Sequence, residues 1–256
     1  MKKIFISMAL MVVSLTTFAK DNFKMTGRID GAGNDTLCID YIILQPKKKI
    51  ITHKVAVKNG EFSFSAKLRE GYSGTMFLKS NPQEAIITYF VPDEEAVFYG
   101  KLNEDEENWS GTAFYQQYGI IIDIQRPFNI EFAAARTETD SIRKLKNRDI
   151  NSRSHPIYMK YIEEHPNEDA TATLVLYVDY DKVLTAISKL TPEVRKGRMK
   201  TELDKIEEMF TQVMKGVAAR KAVKSDTVTI GGQVPELGLK DLQGNVLELK
   251  SQIGRA

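Results

Sequence analysis

The chain has 256 residues, of which 42% are hydrophobic and 27% are charged. These proportions are typical of soluble globular proteins and fit neither a disordered chain nor a bundle of membrane helices. The formal net charge of +2 gives no reason to expect nucleic acid or a membrane surface as a partner.

The first 19 residues have the pattern of a secretory signal peptide. Lys2 and Lys3 precede an apolar run over 4–15, and a small-x-small site ends at Ala19. This order predicts cleavage after Ala19 and export to the periplasm or cell envelope, with membrane contact only through the uncleaved signal. A buried N-terminal helix or a retained anchor is the alternative. Cleavage leaves 34 basic and 34 acidic residues, a neutral balance.

Residues 20–112 predict a β-rich domain. Turn-forming residues separate short runs rich in β-branched and aromatic side chains. These runs cover residues 36–44, 50–57, 61–68, 75–78 and 85–91. Asn59-Gly60 predicts a type I′ hairpin turn, and Phe62 and Phe64 alternate with serines so that one face is apolar. We expect an antiparallel β-sandwich or barrel.

Residues 113–224 predict an amphipathic helical region. Thr112 is a candidate N-cap for the first helix, and His165-Pro166 ends a second, charged one. Asn167 or Asp169 is the expected cap of the next helix. Thr191-Pro192 predicts a further helix start, and one apolar stripe follows it. That stripe contains Leu203, Ile206, Met209, Phe210, Val213, Met214 and Val217.

The histidines and the single cysteine do not form a recognisable site. His53, His155 and His165 share no metal-ligand spacing, and His165 is expected at a helix end. Cys38 lies between apolar residues and is expected to be a buried small hydrophobe. A reactive thiol at Cys38 is the alternative, although no nearby basic residue would lower its pKa.

Other charged or glycine-rich motifs have structural interpretations. The acidic run 104–107 is expected in a solvated loop, and the lysines at 47–49 in a turn between strands. The glycines at 31 and 33 do not complete a dinucleotide fingerprint. Glu163 and Glu164 are helical neighbours that face different directions. The sequence therefore predicts no catalytic, cofactor-binding or metal-binding residue and no cofactor.

The block 225–256 carries a family resemblance. The residues that carry it are, in sequence order, Gly232, Gln233, Val234, Pro235, Glu236, Leu237, Leu239, Lys240, Asp241, Leu242, Gly244, Leu249 and Gly254. They are similar to the start of secreted thioredoxin-like proteins of the peroxiredoxin and cytochrome-maturation type, whose pattern is G-x-x-A-P-D-F-x-L-x-D-x-x-G-x-x-x-x-L. Glu236, Leu237 and Arg255 are mild departures from the family's Asp, Phe and Lys.

The resemblance implies the start of a thioredoxin-like module, truncated before the Cys-x-x-Cys pair that carries the family's redox chemistry. Residues 20–224 also resemble, more loosely, the uncharacterised N-terminal domain that precedes such modules in exported Gram-negative proteins. The expected fold is therefore α+β and multidomain, with an incomplete thioredoxin-like start.

The expected function is that of an accessory portion of a thiol–disulfide oxidoreductase, redox-inactive as given, whose partner is an envelope protein or a thiol-containing substrate. A stand-alone cell-envelope binding module without a redox domain is the alternative.

Overall fold

A computed structural model describes residues 21–43 and 49–225, with side chains described as far as residue 218. The predicted signal peptide, residues 47 and 48 of the predicted lysine turn, and the thioredoxin-like block from residue 226 onward lie outside the described residues. Lys49, the third residue of that predicted turn, is instead the first residue of a strand. The chain divides into two compact units, residues 1–204 and 205–256.

The described residues form eight strands in two four-stranded sheets. The strands are β1 Phe23–Ile29, β2 Asp35–Ile43, β3 Lys49–Val57, β4 Glu61–Ala66, β5 Tyr72–Leu78, β6 Asn81–Phe90, β7 Glu94–Gly100 and β8 Glu107–Gly111. The first sheet has the order β4-β1-β7-β8, and the second has the order β3-β2-β5-β6. Consecutive strands therefore repeatedly change sheet.

The two sheets pack face to face around aromatic side chains. Phe23 of β1 lies edge-on to Phe90 of β6, with ring centroids 5.9 Å apart. Phe64 of β4 contacts the same Phe90 ring at 6.4 Å. Along β4, Phe62 and Phe64 are buried while Ser63 and Ser65 are exposed. This confirms the predicted alternation, and together with the helices it confirms the α+β class.

The expectation of a purely antiparallel β-domain is wrong at one pair. β1 and β7 run parallel, from Phe23 opposite Glu94 to Ile29 opposite Gly100. Parallel neighbours need a long connection, and here the chain passes through both sheets between β1 and β7. Alternation of apolar residues reveals which face of a strand is buried but carries no information on strand direction.

The Asn59-Gly60 turn forms as predicted, but its flanking strands do not make a hairpin ladder. Asn59 and Gly60 have φ values of 52° and 84°, and Lys58 and Glu61 exchange two backbone hydrogen bonds of 2.9 Å. Beyond this pair, β3 joins β2 and β4 joins β1. The turn is therefore a crossing between sheets.

A second crossing between sheets fixes this turn. The N–H of Gly60 donates to the carbonyl of Gly33 at 2.7 Å, and its carbonyl accepts the N–H of Ile29 at 2.8 Å. A Cβ at Gly60 would lie 2.9 Å from the Ile29 carbonyl oxygen. Glycine is therefore required here both by the positive φ and by the close approach.

The described helices are α1 Ala113–Arg136, α2 Asp140–Glu164, a 3₁₀ helix Asp169–Leu176, α3 Val183–Lys189, α4 Pro192–Lys196 and α5 Lys200–Ser225. Thr112 precedes α1, His165 follows α2, and Thr191 precedes α4, which confirms these three predicted boundaries. No helix among the described residues is long and apolar enough to cross a membrane.

Two predicted helices differ from expectation. The segment after Asn167 is a 3₁₀ helix with Glu168 in the capping position. The helix that starts at Pro192 ends at Lys196, and α5 begins only at Lys200. Gly197 follows the last residue of this short helix. The chain approaches itself closely there, because a Cβ at Gly197 would lie 2.5 Å from the Glu193 carbonyl oxygen. The break at residues 197–199 places Arg198 in a loop.

The helices and the sheets share one core within residues 1–204. Tyr115 of α1 is fully buried, and its hydroxyl donates to the Tyr89 carbonyl of β6 at 2.5 Å. Its ring also stacks on Trp109 of β8, with centroids 5.7 Å apart. α1 therefore bridges the edge strands β6 and β8 of the two sheets.

Candidate functional site

The first residue of β7 supplies the cap of α1. Glu94 has a side chain only 5% exposed, and its Oε2 accepts the N–H of Phe114 at 3.2 Å and the hydroxyl proton of Thr112. Thr112 occupies the predicted N-cap position but makes no side-chain cap hydrogen bond of its own. A carboxylate from a distant strand therefore satisfies one of the free N–H groups of the helix start.

Arg198 neutralises this buried carboxylate. Its Nη1 donates to Glu94 Oε1 at 2.7 Å and to the Pro92 carbonyl at 2.9 Å, while its Nε donates to Asp169 Oδ2 at 2.9 Å. Asp169 is the first residue of the 3₁₀ helix. One guanidinium thus connects β7, α1 through Glu94, and the 3₁₀ helix. We refer to Glu94, Thr112, Asp169 and Arg198 as the Arg198 joint.

The backbone of the same loop attaches the start of α5 to β5. The carbonyl of Arg198 accepts the N–H of Gly71 at 2.7 Å. Glu202, 5% exposed, accepts the N–H of Ser73 at 3.1 Å and its hydroxyl at 2.9 Å. The Thr201 hydroxyl donates to Glu70. The first turn of α5 is therefore held in one orientation on the sandwich.

Two open grooves flank the joint. One, of about 850 Å³, is lined by residues that include Lys24, Lys67 and Glu94. The other, of about 380 Å³, is lined by residues that include Gln117, Glu193 and Arg198. The described residues lining either groove include no histidine or cysteine, and their charges are mixed. Such grooves suit polar contacts with a partner.

The acidic run 104–107 is not wholly the solvated loop that its charge pattern predicts. Glu107 is 3% exposed because it opens β8, where alternation turns it inward together with Trp109. The indole Nε1 of Trp109 donates to Glu107 Oε2 at 2.7 Å. Burial raises the pKa of the Glu107 carboxyl to about 7. Arg126 lies nearby but donates to the Glu107 backbone carbonyl, at 2.9 Å.

The other predicted residues are dispersed over the fold. Cys38 is buried in β2, as expected. His53 of β3 stacks on Tyr41 with centroids 5.7 Å apart, and burial lowers its pKa. His165 lies at the end of α2, as expected, 3.2 Å from Glu168. His155 lies within α2.

The adjacent carboxylates of α2 also point apart, as expected. Glu163 pairs with Lys189 and Glu164 pairs with Lys160. No cluster of three or more histidine, cysteine, aspartate or glutamate side chains in the described part of the chain could hold a metal ion.

No residue pattern in the sequence indicates the Arg198 joint. Glu94 and Arg198 are 104 positions apart in the chain. The residues that flank each of them in the sequence do not distinguish it from other charged residues of the chain. The burial of Glu107 could have been predicted from the sequence, because Glu107 and Trp109 are two residues apart and therefore lie on the same face of a strand.

Comparisons with protein-family models, with curated proteins and with solved structures found no match to this chain. The structure itself defines the class of the protein by its architecture. It is an α+β protein in which two four-stranded sheets share a core with helices.

We expect Arg198→Met to lower the free energy of unfolding by about 2 kcal/mol, because it leaves Glu94 buried without its cation. The Arg198 side chain is 32% exposed, which places the loss below that of a fully buried pair. Urea denaturation measures this loss. Adding Glu94→Gln should recover part of it, because no charge is then stranded.

Arg143→Met is the matched control, since Arg143 pairs with Asp140 on the exposed surface of α2. Its loss should stay below about 0.5 kcal/mol. Equal losses in the two arginine variants would contradict the assigned role of the joint.

We expect Glu107→Gln to stabilise the protein in a pH-dependent manner. The folded-state pKa of about 7 lies above the ordinary value of about 4.5, so the wild type loses stability as the pH rises between these values. Above pH 7 the advantage of the variant should reach about 3 kcal/mol and then stay constant. Denaturation between pH 4.5 and 8 measures it.

Glu106→Gln serves as the control for this pH series, because Glu106 is exposed and pairs with Lys101. Its hydrogen bond from Lys101 lowers the pKa of Glu106, so this variant should gain nothing as the pH rises. A Glu107→Gln effect that is the same at every pH would refute the assignment.

Proposed function

We propose that residues 20–224 are the accessory portion of an exported thiol–disulfide oxidoreductase of the thioredoxin family, where they position a partner or a thiol-containing substrate. The observation that carries this proposal is the sequence pattern from Gly232 to Gly254, which resembles the start of a thioredoxin-like module. The multidomain organisation and the location in the periplasm or cell envelope are parts of the same proposal.

The hydrogen bonds at the first turn of α5 support the proposed positioning role. The first turn of this helix is hydrogen-bonded to β5 through Glu202 and to Glu70 through Thr201, and the Arg198 joint fixes the loop that precedes it. A helix anchored in this way has a defined direction at its start. The mixed charges of the two flanking grooves supply polar contacts for a partner.

The state of Cys38 supports redox inactivity of this portion. Cys38 is the only cysteine in the 256 residues and is 6% exposed within β2. A single cysteine cannot cycle between a dithiol and an intramolecular disulfide, and burial shields its sulfur from an attacking thiolate. The redox chemistry of the proposed enzyme therefore requires cysteines that this sequence does not contain.

We expect the 256-residue chain to give no acceleration of insulin reduction by dithiothreitol. We expect the coding DNA beyond codon 256, read in the same or a shifted frame, to encode a Cys-x-x-Cys pair, and the extended protein to accelerate the reaction. Replacing both added cysteines with serine is the control, and it should abolish the acceleration of insulin reduction.

A stop codon in the genomic sequence with no downstream cysteine pair would overturn this proposal. Acceleration of insulin reduction by the 256-residue chain itself would also contradict it, because that acceleration would have to come from Cys38.

A further inference from the structure

A groove of about 790 Å³ lies between α2 and the segment that joins the 3₁₀ helix to α3. From α2 it is lined by residues that include Lys144, Asn147, Arg148 and His155, and from the joining segment by Asp179 and Tyr180. No residue of the Arg198 joint is among those that line this groove. We refer to this feature as the His155 groove.

A carboxylate orients the imidazole in this groove. His155 Nδ1 lies 2.6 Å from Asp179 Oδ1, and the His155 side chain is only 16% exposed. The backbone of Asp179 is itself held by the N–H of Lys182, which donates to its carbonyl at 2.7 Å. The pair leaves Nε2 as the imidazole atom available to a ligand.

The two cations of the groove have no partners among the described residues. Lys144 and Arg148 are one helical turn apart on α2 and form no ion pair there. The other basic side chains of α2 behave differently. Arg143 pairs with Asp140, Lys146 with Glu138, Arg153 with Glu131, and Lys160 with Glu164. Positive charge is thus left uncompensated only where α2 faces the groove, which favours an anionic ligand.

Among the described residues, one side-chain acceptor of the groove lacks a donor, and one backbone carbonyl lacks its usual helical donor. Asn147 Oδ1 is buried without a hydrogen-bond partner in the described part of the chain. Pro156 lies inside α2 and has no N–H, so the carbonyl of Ser152 lacks its helical donor. A buried acceptor without a donor costs about 1–3 kcal/mol. The ligand that fits must bring O–H or N–H groups as well as negative charge.

We propose that the His155 groove binds a small acidic sugar, in which a ring carrying hydroxyl groups bears a carboxylate or a phosphate. Lys144 and Arg148 hold the anionic group. Asn147 and the Ser152 carbonyl accept hydrogen bonds from hydroxyls, and the imidazole of His155 contacts the ring oxygens. Tyr180, 60% exposed at the rim, offers a flat apolar face to the ring.

Calorimetric titration of the 256-residue protein with four probes tests this inference. We expect glucuronate or glucose 6-phosphate to bind, and the tighter of the two identifies the carboxylate or phosphate source of the anion. Glucose and inorganic phosphate should each bind at least about tenfold more weakly, because each offers only half of the required chemistry. Equal binding of phosphate and of the better acidic sugar, or no binding of either acidic sugar, would overturn the proposal.

Variants on one helix separate the groove from general surface charge. Lys144→Gln with Arg148→Gln should weaken binding of the better acidic sugar by at least about tenfold. Arg143→Gln with Lys160→Gln removes the same charge from α2 outside the groove and should leave the affinity unchanged. Both pairs are exposed, so a circular dichroism melt should show the wild-type fold. Equal weakening by the two double variants would show binding through net charge and contradict the proposal.

A third variant tests the hydrogen-bonding half. Asn147→Leu should bring the affinity for the acidic sugar down to that for inorganic phosphate, because it removes an acceptor and leaves both cations. Retention of the full wild-type preference for the sugar would contradict the assigned role of Asn147. The inference is independent of the proposed redox partnership, since it uses only α2 and the segment before α3.

Discussion

The guanidinium of Arg198, placed between Glu94 and Asp169, is the interaction on which the junction of β7, the start of α1 and the 3₁₀ helix depends. Glu94 is enclosed where β7 begins and α1 starts, and an enclosed carboxylate without a cation is strongly unfavourable. The same carboxylate satisfies the free N–H of Phe114. Removing the cation therefore affects a strand, a helix start and the 3₁₀ helix together, although these elements are far apart in the chain.

The protein contains a second enclosed carboxylate whose surroundings differ. The Glu94 oxygens meet a guanidinium, a hydroxyl and a backbone N–H, whereas the Glu107 carboxylate receives the indole N–H of Trp109. Arg126 approaches Glu107 but donates to backbone carbonyls there. Burial therefore dominates at Glu107 and raises its pKa to about 7. The Glu94 carboxylate has a cation as its partner, whereas the titration of Glu107 makes the stability of the core depend on pH near neutrality.

The features that could be predicted from the sequence are the local ones. Strand alternation at Phe62 and Phe64, the Asn59-Gly60 turn and the helix boundary at Thr191-Pro192 depend on neighbours within a few residues, so the residue pattern determines them. The parallel pairing of β1 with β7 and the separation of β3 from β4 depend on how distant strands assemble. The Arg198 joint depends on four such segments at once, those of Glu94, Thr112, Asp169 and Arg198. For the same reason, the partner of His155 could not be found, because Asp179 lies 24 positions further along the chain.

These relations support the proposed positioning role. A helix can orient a later segment of the chain only if its own start is fixed, and α5 starts in the loop that the Arg198 joint holds. Hydrogen exchange on the wild type and on Arg198→Met tests this most directly. The account predicts that the variant loses amide protection together at the start of α1, in the 3₁₀ helix and in the first turn of α5, while the amides of β2 keep theirs. Loss confined to residues 197–199 would contradict it.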